Sequence, residues 1–146
     1  MRVLHITDTH LHTDADARLR GVNTVQSLQS VLAAALANPR RPDLIVATGD
    51  LSQDETAGAY ENVRRILAPP GIPVWCVPGN HDAPALMVQP LDAAPCHFGG
   101  VVVRPPWCLI MLDSYLAGDH GGGLSTQSLD RLRQTLREHC ALHALI

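Results

Sequence analysis

Aromatic residues and paired cysteines are scarce in this sequence. It contains only two Trp, two Tyr and one Phe, so a hydrophobic core has to be built mainly from Leu, Val, Ile and Ala. The four cysteines, Cys76, Cys96, Cys108 and Cys140, are widely spaced and form no C-x-x-C pair, which argues against a zinc knuckle and a thioredoxin-type motif. We therefore expect reduced cysteines that are buried as small hydrophobic residues.

Signal-type and membrane-spanning segments are also lacking. The chain reaches Asp8 from Met1 without a long apolar stretch, and no apolar run approaches the length that crosses a bilayer. The formal net charge of −3 gives no general attraction to nucleic acid, because a phosphate-binding surface normally carries clustered Lys and Arg. We expect a cytoplasmic protein that binds neither membranes nor nucleic acid.

Short apolar runs alternate with helical patterns along the chain, which is typical of an α/β fold with buried strands. Strands are predicted at 3–7, 44–47, 74–77, 101–103 and 108–112, with a sixth that begins at His143. Helices are predicted at about 24–37 and 56–67, and a third starts at Ser125. No linker or repeat interrupts the pattern, so residues 1–146 are expected to form a single domain.

Three polar motifs each follow a predicted strand. Asp8-Thr9-His10 follows the first, Gly49-Asp50 the second and Gly79-Asn80-His81-Asp82 the third. In an α/β sheet, ligands collect beyond the carboxyl ends of the strands. We therefore expect all three motifs to project over the same edge of the sheet.

The residue types in these motifs suit metal and phosphate chemistry. Asp8 and His10 are two residues apart, so in an extended segment they can share one cation; the alternative is a turn in which Asp8 caps a backbone N–H. The Asp50 carboxylate can bridge two cations, although an isolated Gly-Asp is more typical of an ordinary turn. Asn80 can bind a hard cation through its amide oxygen, and His81 can donate a proton to a phosphoryl oxygen or leaving group.

The motifs, in this order, resemble the D-x-H, G-D and G-N-H-D/E signatures of the calcineurin-like metallophosphoesterases. The blocks ITDTHL (6–11), RGVNT (20–24), ATGDL (47–51) and VPGNHD (77–82) are similar to the class III cyclic-nucleotide phosphodiesterase branch of that family. The resemblance covers the whole chain. It implies an α/β/β/α sandwich, with paired sheets between outer helices, of which this chain is the N-terminal portion.

The resemblance also implies a role for each site residue. Asp8 and His10 bind a first metal, Asp50 bridges two metals, Asn80 binds the second, and Asn80 and His81 contact the substrate. Two cations about 3.5 to 4 Å apart lower the pKa of a shared water, so that hydroxide attacks phosphorus in line while His81 assists the leaving oxygen. The ligand set favours Mn²⁺ or Fe²⁺, with Zn²⁺ as a further option. The expected substrate is a small phosphodiester, 3′,5′-cyclic AMP or a related cyclic nucleotide.

Two motifs of the family pattern are missing from this sequence, a histidine after a later strand and a G-H-x-H. The second metal keeps only Asp50 and Asn80, which puts activity of the chain alone in question. We therefore expect an incomplete domain, truncated inside an apolar run, with an open apolar face that leaves room for a homodimer. His143 is expected to have a structural role in that run.

The same residues are compatible with two other functions. One is a noncatalytic remnant that binds a metal or phosphate, and the other is a metallophosphoesterase for a different phosphodiester or a monoester. His97 and His120 are alternative ligands, but a flexible surface loop is the favoured interpretation of the Gly-rich run around His120, and such a loop can also border a substrate. His12 is expected to be an exposed loop histidine.

Overall fold

Two separate sheets and a short hairpin provide the strands of the computed structural model, which describes residues 1–139 and 142–146. In chain order the elements are β1 (Val3–Ile6), β2 (Arg18–Leu19), β3 (Val22–Asn23), α1 (Thr24–Leu36), β4 (Leu44–Thr48), α2 (Ala57–Leu67), β5 (Val74–Val77), α3 (Pro84–Leu91), β6 (Cys96–Phe98), β7 (Gly100–Arg104), β8 (Trp107–Met111), α4 (Thr126–Glu138) and β9 (His143–Leu145). Within the described residues, no helix is long and apolar enough to cross a bilayer.

The first sheet is parallel and has the strand order β1-β4-β5-β6. Ile6 lies opposite Ala47, and Thr48 lies opposite Val77, so β1, β4 and β5 end at nearly the same level. Because the strands are parallel, the segments that follow them leave from one edge of the sheet. This register brings the three polar motifs together.

The apolar run of β4 is uninterrupted because both faces of this strand are buried. Ile45 and Ala47 are fully buried in a cluster that includes residues of α1 and α2, whereas Leu44 and Val46 pack in a second cluster with Val102 of the other sheet. Successive side chains of a strand point to opposite faces, so a strand that is covered on both sides has no polar alternation. The central strand is therefore held rigidly at the base of the polar edge.

The second sheet has the order β7-β8-β9, with β7 antiparallel and β9 parallel to β8. Its buried residues come mainly from β8, namely Cys108, Leu109 and Ile110. Helix α4 has no buried residue, and several apolar side chains of this half are exposed: Val101, Trp107, Leu136, Leu145 and Ile146. His143 lies in β9 as expected, and its ring is 5.3 Å from that of Trp107.

The predicted elements are confirmed to within about one residue, and α1, α2 and α4 each begin at a polar side-chain cap. Asn23 accepts a hydrogen bond from the Gln26 N–H at 2.8 Å, and Thr56 and Ser125 cap α2 and α4. Three further elements were not predicted: the β2-β3 hairpin, α3 and β6. The hairpin strands have only two residues each, and α3 contains Pro90 in its interior, which disfavours a helix when only the sequence is known.

The cysteines are buried where the structure describes them. Cys76, Cys96 and Cys108 are free and buried, and Cys140 lies outside the described residues. Burial raises the pKa of all three thiols, so they remain protonated at neutral pH. The prediction that the cysteines are buried as small hydrophobic residues is confirmed for these three.

A polar network around Asp54 ties the segment after β1 to the start of α2. The Asp54 carboxylate accepts hydrogen bonds from the Thr13 N–H at 2.8 Å and from the hydroxyls of Thr56 at 2.8 Å and Ser52 at 3.2 Å. His12 Nδ1 lies 4.0 Å from Asp54 Oδ2, and the His12 side chain is only 21% exposed. The expectation of an exposed His12 is therefore wrong, because this network draws the ring against the protein.

We predict that Asp54 contributes to stability only above acidic pH. Burial acts to raise the pKa of this carboxyl, but the hydrogen bonds from Thr13, Thr56 and Ser52 and the charge of His12 outweigh it and lower the pKa from 3.8. The stabilisation is present above the ordinary aspartate pKa and is lost as the pH falls through the lower folded-state pKa. Asp54→Asn should cost about 1 kcal/mol at neutral pH and flatten the acid side of the stability curve.

Urea unfolding between neutral pH and pH values below the ordinary aspartate pKa measures this contribution. Asp130→Asn is the matched control, because Asp130 lies on the exposed face of α4 and, within the part of the chain that the structure describes, pairs only with Arg133. An unchanged acid limb in Asp54→Asn would contradict the assignment.

Candidate metal centre

The pairing of β1 with β4 continues beyond the ends of both strands. The Asp8 N–H donates to Gly49 O at 3.1 Å, the His10 N–H to Asp50 O at 2.9 Å, and the Leu11 N–H to Leu51 O at 2.9 Å. These backbone bonds keep the two following segments in register. They place Asp8, His10 and Asp50 beside one another at the edge of the sheet.

The same three residues have left-handed backbone conformations. Their φ angles are 54° for Asp8, 44° for His10 and 50° for Asp50. They make up three of the five residues other than glycine with positive φ in the described part of the chain. Such conformations cost on the order of 1 kcal/mol each and concentrate at functional sites, where the surrounding structure imposes them.

The side chains are spaced as ligands of one cation would be. His10 Nε2 lies 3.9 Å from both Asp8 Oδ1 and Asp50 Oδ2, which is too long for a hydrogen bond. Two metal–ligand bonds of about 2.1 Å each can span at most about 4.2 Å, so both separations fit a shared ion. One ligand atom from each of the three residues lies within 4.8 Å of the other two.

The carboxylate oxygens that face away from His10 are held by protein donors. The Thr7 hydroxyl donates to Asp8 Oδ2 at 2.6 Å, and the His81 N–H donates to Asp50 Oδ1 at 3.1 Å. Such outer contacts orient metal ligands and fix which oxygen is free. Asp8 Oδ1 and Asp50 Oδ2 are therefore turned toward His10.

The surroundings of the cluster fit a divalent metal ion. Two carboxylates and an imidazole without a thiolate are a ligand set suited to Mn²⁺, Fe²⁺ or Zn²⁺. Neither ring nitrogen of His10 has a hydrogen-bond partner among the described residues, and its Nδ1 is buried. The Asp8 side chain is 61% exposed but that of Asp50 only 17%, so the cluster opens to solvent on the Asp8 side.

Glycines allow the third motif to lie directly against Asp50. A Cβ on Gly79 would come 2.2 Å from Asp50 Oδ1, and a Cβ on Gly49 would come 2.6 Å from Gly79 N. Gly49 also has a φ of 90°, which disfavours any other residue. This close approach is what brings the His81 N–H onto the Asp50 carboxylate.

The five predicted site residues lie at the same edge of the first sheet. The His81 ring packs edge-on against His10, with centroids 5.4 Å apart. Asn80 precedes His81 in the same loop and is exposed. The structure thus joins Asp8, His10, Asp50 and His81 by direct contacts and puts Asn80 next to them.

Sequence reasoning gave no role to Asp82, although it is the fourth residue of the third motif. Its side chain is buried, at 2% exposed, and accepts hydrogen bonds from the N–H groups of Leu51, Ser52 and Gly79 at 2.9 to 3.2 Å. The Tyr60 hydroxyl also donates to it at 3.2 Å. Burial and the nearby Asp82 charge raise the pKa of Tyr60, which keeps the hydroxyl protonated. Asp82 thus anchors the second loop to the third.

The two histidines considered as alternative ligands lie in different surroundings. His97 is in β6 and stacks on Trp75, with centroids 4.5 Å apart. His120 is exposed, but its Nδ1 lies 3.3 Å from Asn80 Nδ2, and its loop borders a cavity of about 230 Å³ that Asn80 also lines. The loop is exposed, as expected for a surface loop, and it also folds back to the edge of the site, which is the further role left open for it.

We predict that Gly79→Ala weakens metal binding. The added methyl group would overlap Asp50 Oδ1 and would force either the carboxylate or the third loop to move. Because outer contacts of metal ligands are worth about 10- to 100-fold in affinity, we expect a loss of at least about tenfold in Mn²⁺ affinity by equilibrium dialysis.

Gly71→Ala is the control for the effect of an added methyl group alone. Gly71 has a φ of 70° and open space around its Cβ position, so the substitution should strain the backbone and leave Mn²⁺ binding unchanged. Wild-type Mn²⁺ affinity in Gly79→Ala would show that the close approach to Asp50 is not needed.

We predict that Asp82→Asn destabilises the fold by about 2 kcal/mol, because it replaces a buried charged acceptor of several hydrogen bonds with a neutral amide. Urea unfolding gives the change in free energy. Asp92→Asn is the matched comparison, since Asp92 is exposed and accepts one long bond from Phe98 N at 3.3 Å. Equal losses in the two variants would refute the anchoring role of Asp82.

Comparison with known proteins agrees with this geometry. Residues 1–140 match the family model described as calcineurin-like phosphoesterase. The chain is 38% identical over its whole length to the 3′,5′-cyclic adenosine monophosphate phosphodiesterase CpdA of Escherichia coli K12 and covers 54% of that protein. It is 35% identical to the enzyme of the same name from Haemophilus influenzae, again over its whole length and 54% of the relative.

A more distant relative is the 3′,5′-cyclic-nucleotide phosphodiesterase alr5338 of Nostoc, which is 33% identical over 92% of this chain and 51% of its own length. The chain spans about half the length of the curated relatives it matches. From the match over residues 1–140, this chain belongs to the calcineurin-like phosphoesterase family.

Proposed function

We propose that this chain carries the metal- and phosphate-binding edge of a metal-dependent phosphodiesterase that acts on 3′,5′-cyclic AMP or a related cyclic nucleotide. The observation that carries the proposal is the cluster of Asp8, His10 and Asp50, with spacings suited to one cation. Membership of a metallophosphoesterase family implies divalent metal ions. The substrate class is supported by relatives described as cyclic-nucleotide phosphodiesterases.

The family resemblance implies the proposed metal ligands, and the close spacing of Asp8, His10 and Asp50 supports three of them. Asp8 and His10 would hold a first ion, Asp50 would contribute to both ions, and Asn80 would bind the second. When bound, the cations would lower the pKa of a water molecule and withdraw charge from the phosphoryl oxygens, which makes the nucleophile available near neutral pH. The preference for Mn²⁺ or Fe²⁺ over Zn²⁺, the single domain, the cytoplasmic location and a homodimer stay predictions.

The charge and exposure of the site residues support a proposal for how the substrate would bind. Two carboxylates repel an anionic phosphodiester, so substrate binding is expected to depend on metal loading. The access side is that of Asp8, whose side chain is 61% exposed. His81 is pinned by its N–H bond to Asp50 and by its contact with His10, and its ring can donate a proton to the leaving oxygen.

A noncatalytic metal-binding role is the second candidate. The observation that favours it is the ligand set of the second ion, for which this sequence supplies only Asp50 and Asn80 among the predicted ligands. A single ion would polarise a phosphate but would lack the partner that helps to activate the nucleophile. Other phosphodiesters and monoesters are further candidates, because no residue of the cluster is suited to reading a nucleobase.

We predict that Asp50→Asn abolishes Mn²⁺ binding and lowers phosphodiester hydrolysis by more than about 100-fold, because its carboxylate is shared by the proposed ions. The measurements are metal content by mass spectrometry and turnover of cyclic AMP, bis(4-nitrophenyl) phosphate and 4-nitrophenyl phosphate by the 146-residue chain.

His81→Ala should keep the metal and lose about 100-fold or more in rate. Asp130→Asn should change neither quantity.

Each result separates the candidates. Metal binding without turnover of any ester would support the noncatalytic role. Turnover of the nitrophenyl diester without cyclic AMP would overturn the substrate assignment and leave the reaction class standing. Unchanged Mn²⁺ content in Asp50→Asn would overturn the metal centre itself.

A further inference from the structure

We infer that His120 is a positioning residue that orients the side-chain amide of Asn80 for metal binding. The two residues are 40 positions apart in the sequence, yet Asn80 Nδ2 lies 3.3 Å from His120 Nδ1. The inference rests on the proposed function, because it assigns a partner to a predicted ligand of the same centre.

The chemistry of the two groups fixes the direction of this hydrogen bond. An amide nitrogen can only donate, so His120 Nδ1 is the acceptor, and the neutral ring carries its proton on Nε2. The Asn80 amide then has its nitrogen committed to the histidine. Its Oδ1 accepts no hydrogen bond from the described residues and remains available, and it is the only amide atom that can bind a cation.

The loop that carries His120 is folded rather than open. The Gly123 N–H donates to Ser114 O at 2.9 Å, and the Asp119 N–H donates to Leu116 O at 3.1 Å. The Gly121 N–H donates to the Asp119 carboxylate at 2.9 Å. These bonds close the segment on itself between β8 and α4, which allows it to present the imidazole at a defined place beside Asn80.

Asn80 needs such a partner more than the other predicted ligands do. It is exposed, and its oxygen and nitrogen are nearly equal in size, so rotation of the free amide by half a turn costs little. Asp8 and Asp50 each have one oxygen held, by the Thr7 hydroxyl and by the His81 N–H. His120 holds the nitrogen of the Asn80 amide in the same way and leaves its oxygen free.

Direct ligation by His120 is less consistent with the structure. Among the described residues, the group of Asp, Glu, His and Cys side chains close enough to share an ion contains Asp8, His10 and Asp50 and does not include His120. Its Nδ1, moreover, is already directed at the Asn80 amide. The two roles also predict different effects of substitution, since a hydrogen-bond acceptor can be replaced by an amide oxygen.

The first test uses the metal-free chain and ¹⁵N-edited NMR at a pH where the ring is neutral. We expect an unprotonated Nδ1 on His120, and we expect the Asn80 amide proton signals to shift in His120→Ala. A protonated Nδ1 would overturn the inference, because it would mean that the amide oxygen faces the histidine. Unchanged Asn80 signals in His120→Ala would overturn it as well.

The second test measures Mn²⁺ affinity by electron paramagnetic resonance of the free ion during titration. His120→Ala should weaken binding of the weaker ion by about tenfold or more, and His120→Asn, which offers an amide oxygen close to the place of Nδ1, should restore most of that loss. His143→Ala is the control, because His143 is an exposed histidine in β9. Equal losses in His120→Ala and His120→Asn would exclude the positioning role.

Asp50→Asn separates this inference from the proposed function. If Asp50→Asn abolishes Mn²⁺ binding while His120→Ala leaves the affinity and the Asn80 signals unchanged, the metal centre stands and the positioning role is wrong. If Mn²⁺ binding survives Asp50→Asn, the proposed function fails, and the metal-free NMR result still decides whether His120 holds the Asn80 amide.

Discussion

The parallel pairing of β1 and β4 beyond the ends of both strands is the interaction on which the site depends. Three successive backbone bonds join residues 8, 10 and 11 to residues 49, 50 and 51. They hold Asp8, His10 and Asp50 in left-handed conformations that these residues would otherwise avoid. The spacing of the three side chains is therefore set by the main chain and by a central strand that is buried on both faces, which is a stiffer support than side-chain packing at an exposed edge.

A buried carboxylate extends this support to the third loop. Asp82 accepts hydrogen bonds from the N–H groups of Leu51, Ser52 and Gly79, so that it connects the loops after β4 and β5. An apolar side chain of similar size could fill the space but would leave the buried N–H groups of Leu51 and Ser52 without partners, at a cost of about 1 to 3 kcal/mol each. A charged residue in the interior is thus explained by the polar backbone of the loops that it joins.

Much of this arrangement could be predicted from the sequence, because it follows from buried strands and the polar residues after them. Runs such as 44–48 are apolar throughout since both faces are covered, and parallel strands bring their carboxyl ends to one edge. Helix α3 was not predicted in the same way: Pro84 at its start is compatible with a helix N-terminus, but Pro90 lies within it and disfavours a helix when only the sequence is known. The partially buried His12 was missed because its exposure depends on a network with Asp54 rather than on its own type.

The contacts that orient the site residues could not be predicted from sequence patterns. A motif such as D-x-H shows that a carboxylate is present but not which oxygen Thr7 holds, and it gives no sign that the His81 N–H occupies one oxygen of Asp50. The contact of Asn80 with His120 depends on how a glycine-rich segment folds back through Ser114 and Leu116. Spacing identifies residues with suitable chemistry, whereas the direction of each donor atom is a property of tertiary structure.

The groups that orient the predicted ligands Asp8, Asp50 and Asn80 are of different chemical kinds, so substitutions affect them differently. A hydroxyl orients Asp8, a backbone N–H orients Asp50 and, in the role inferred for His120, an imidazole orients the Asn80 amide. Only the backbone donor survives substitution by any residue except proline, and it acts on the more enclosed carboxylate of the cluster, Asp50, whose side chain is 17% exposed. The proposed shared ligand thus has the least variable support, while the more exposed Asp8 and Asn80 depend on side chains that can change without disturbing the core. Substitutions of the side chains that orient Asp8 and Asn80 are therefore expected to lower metal affinity more than they lower the stability of the fold.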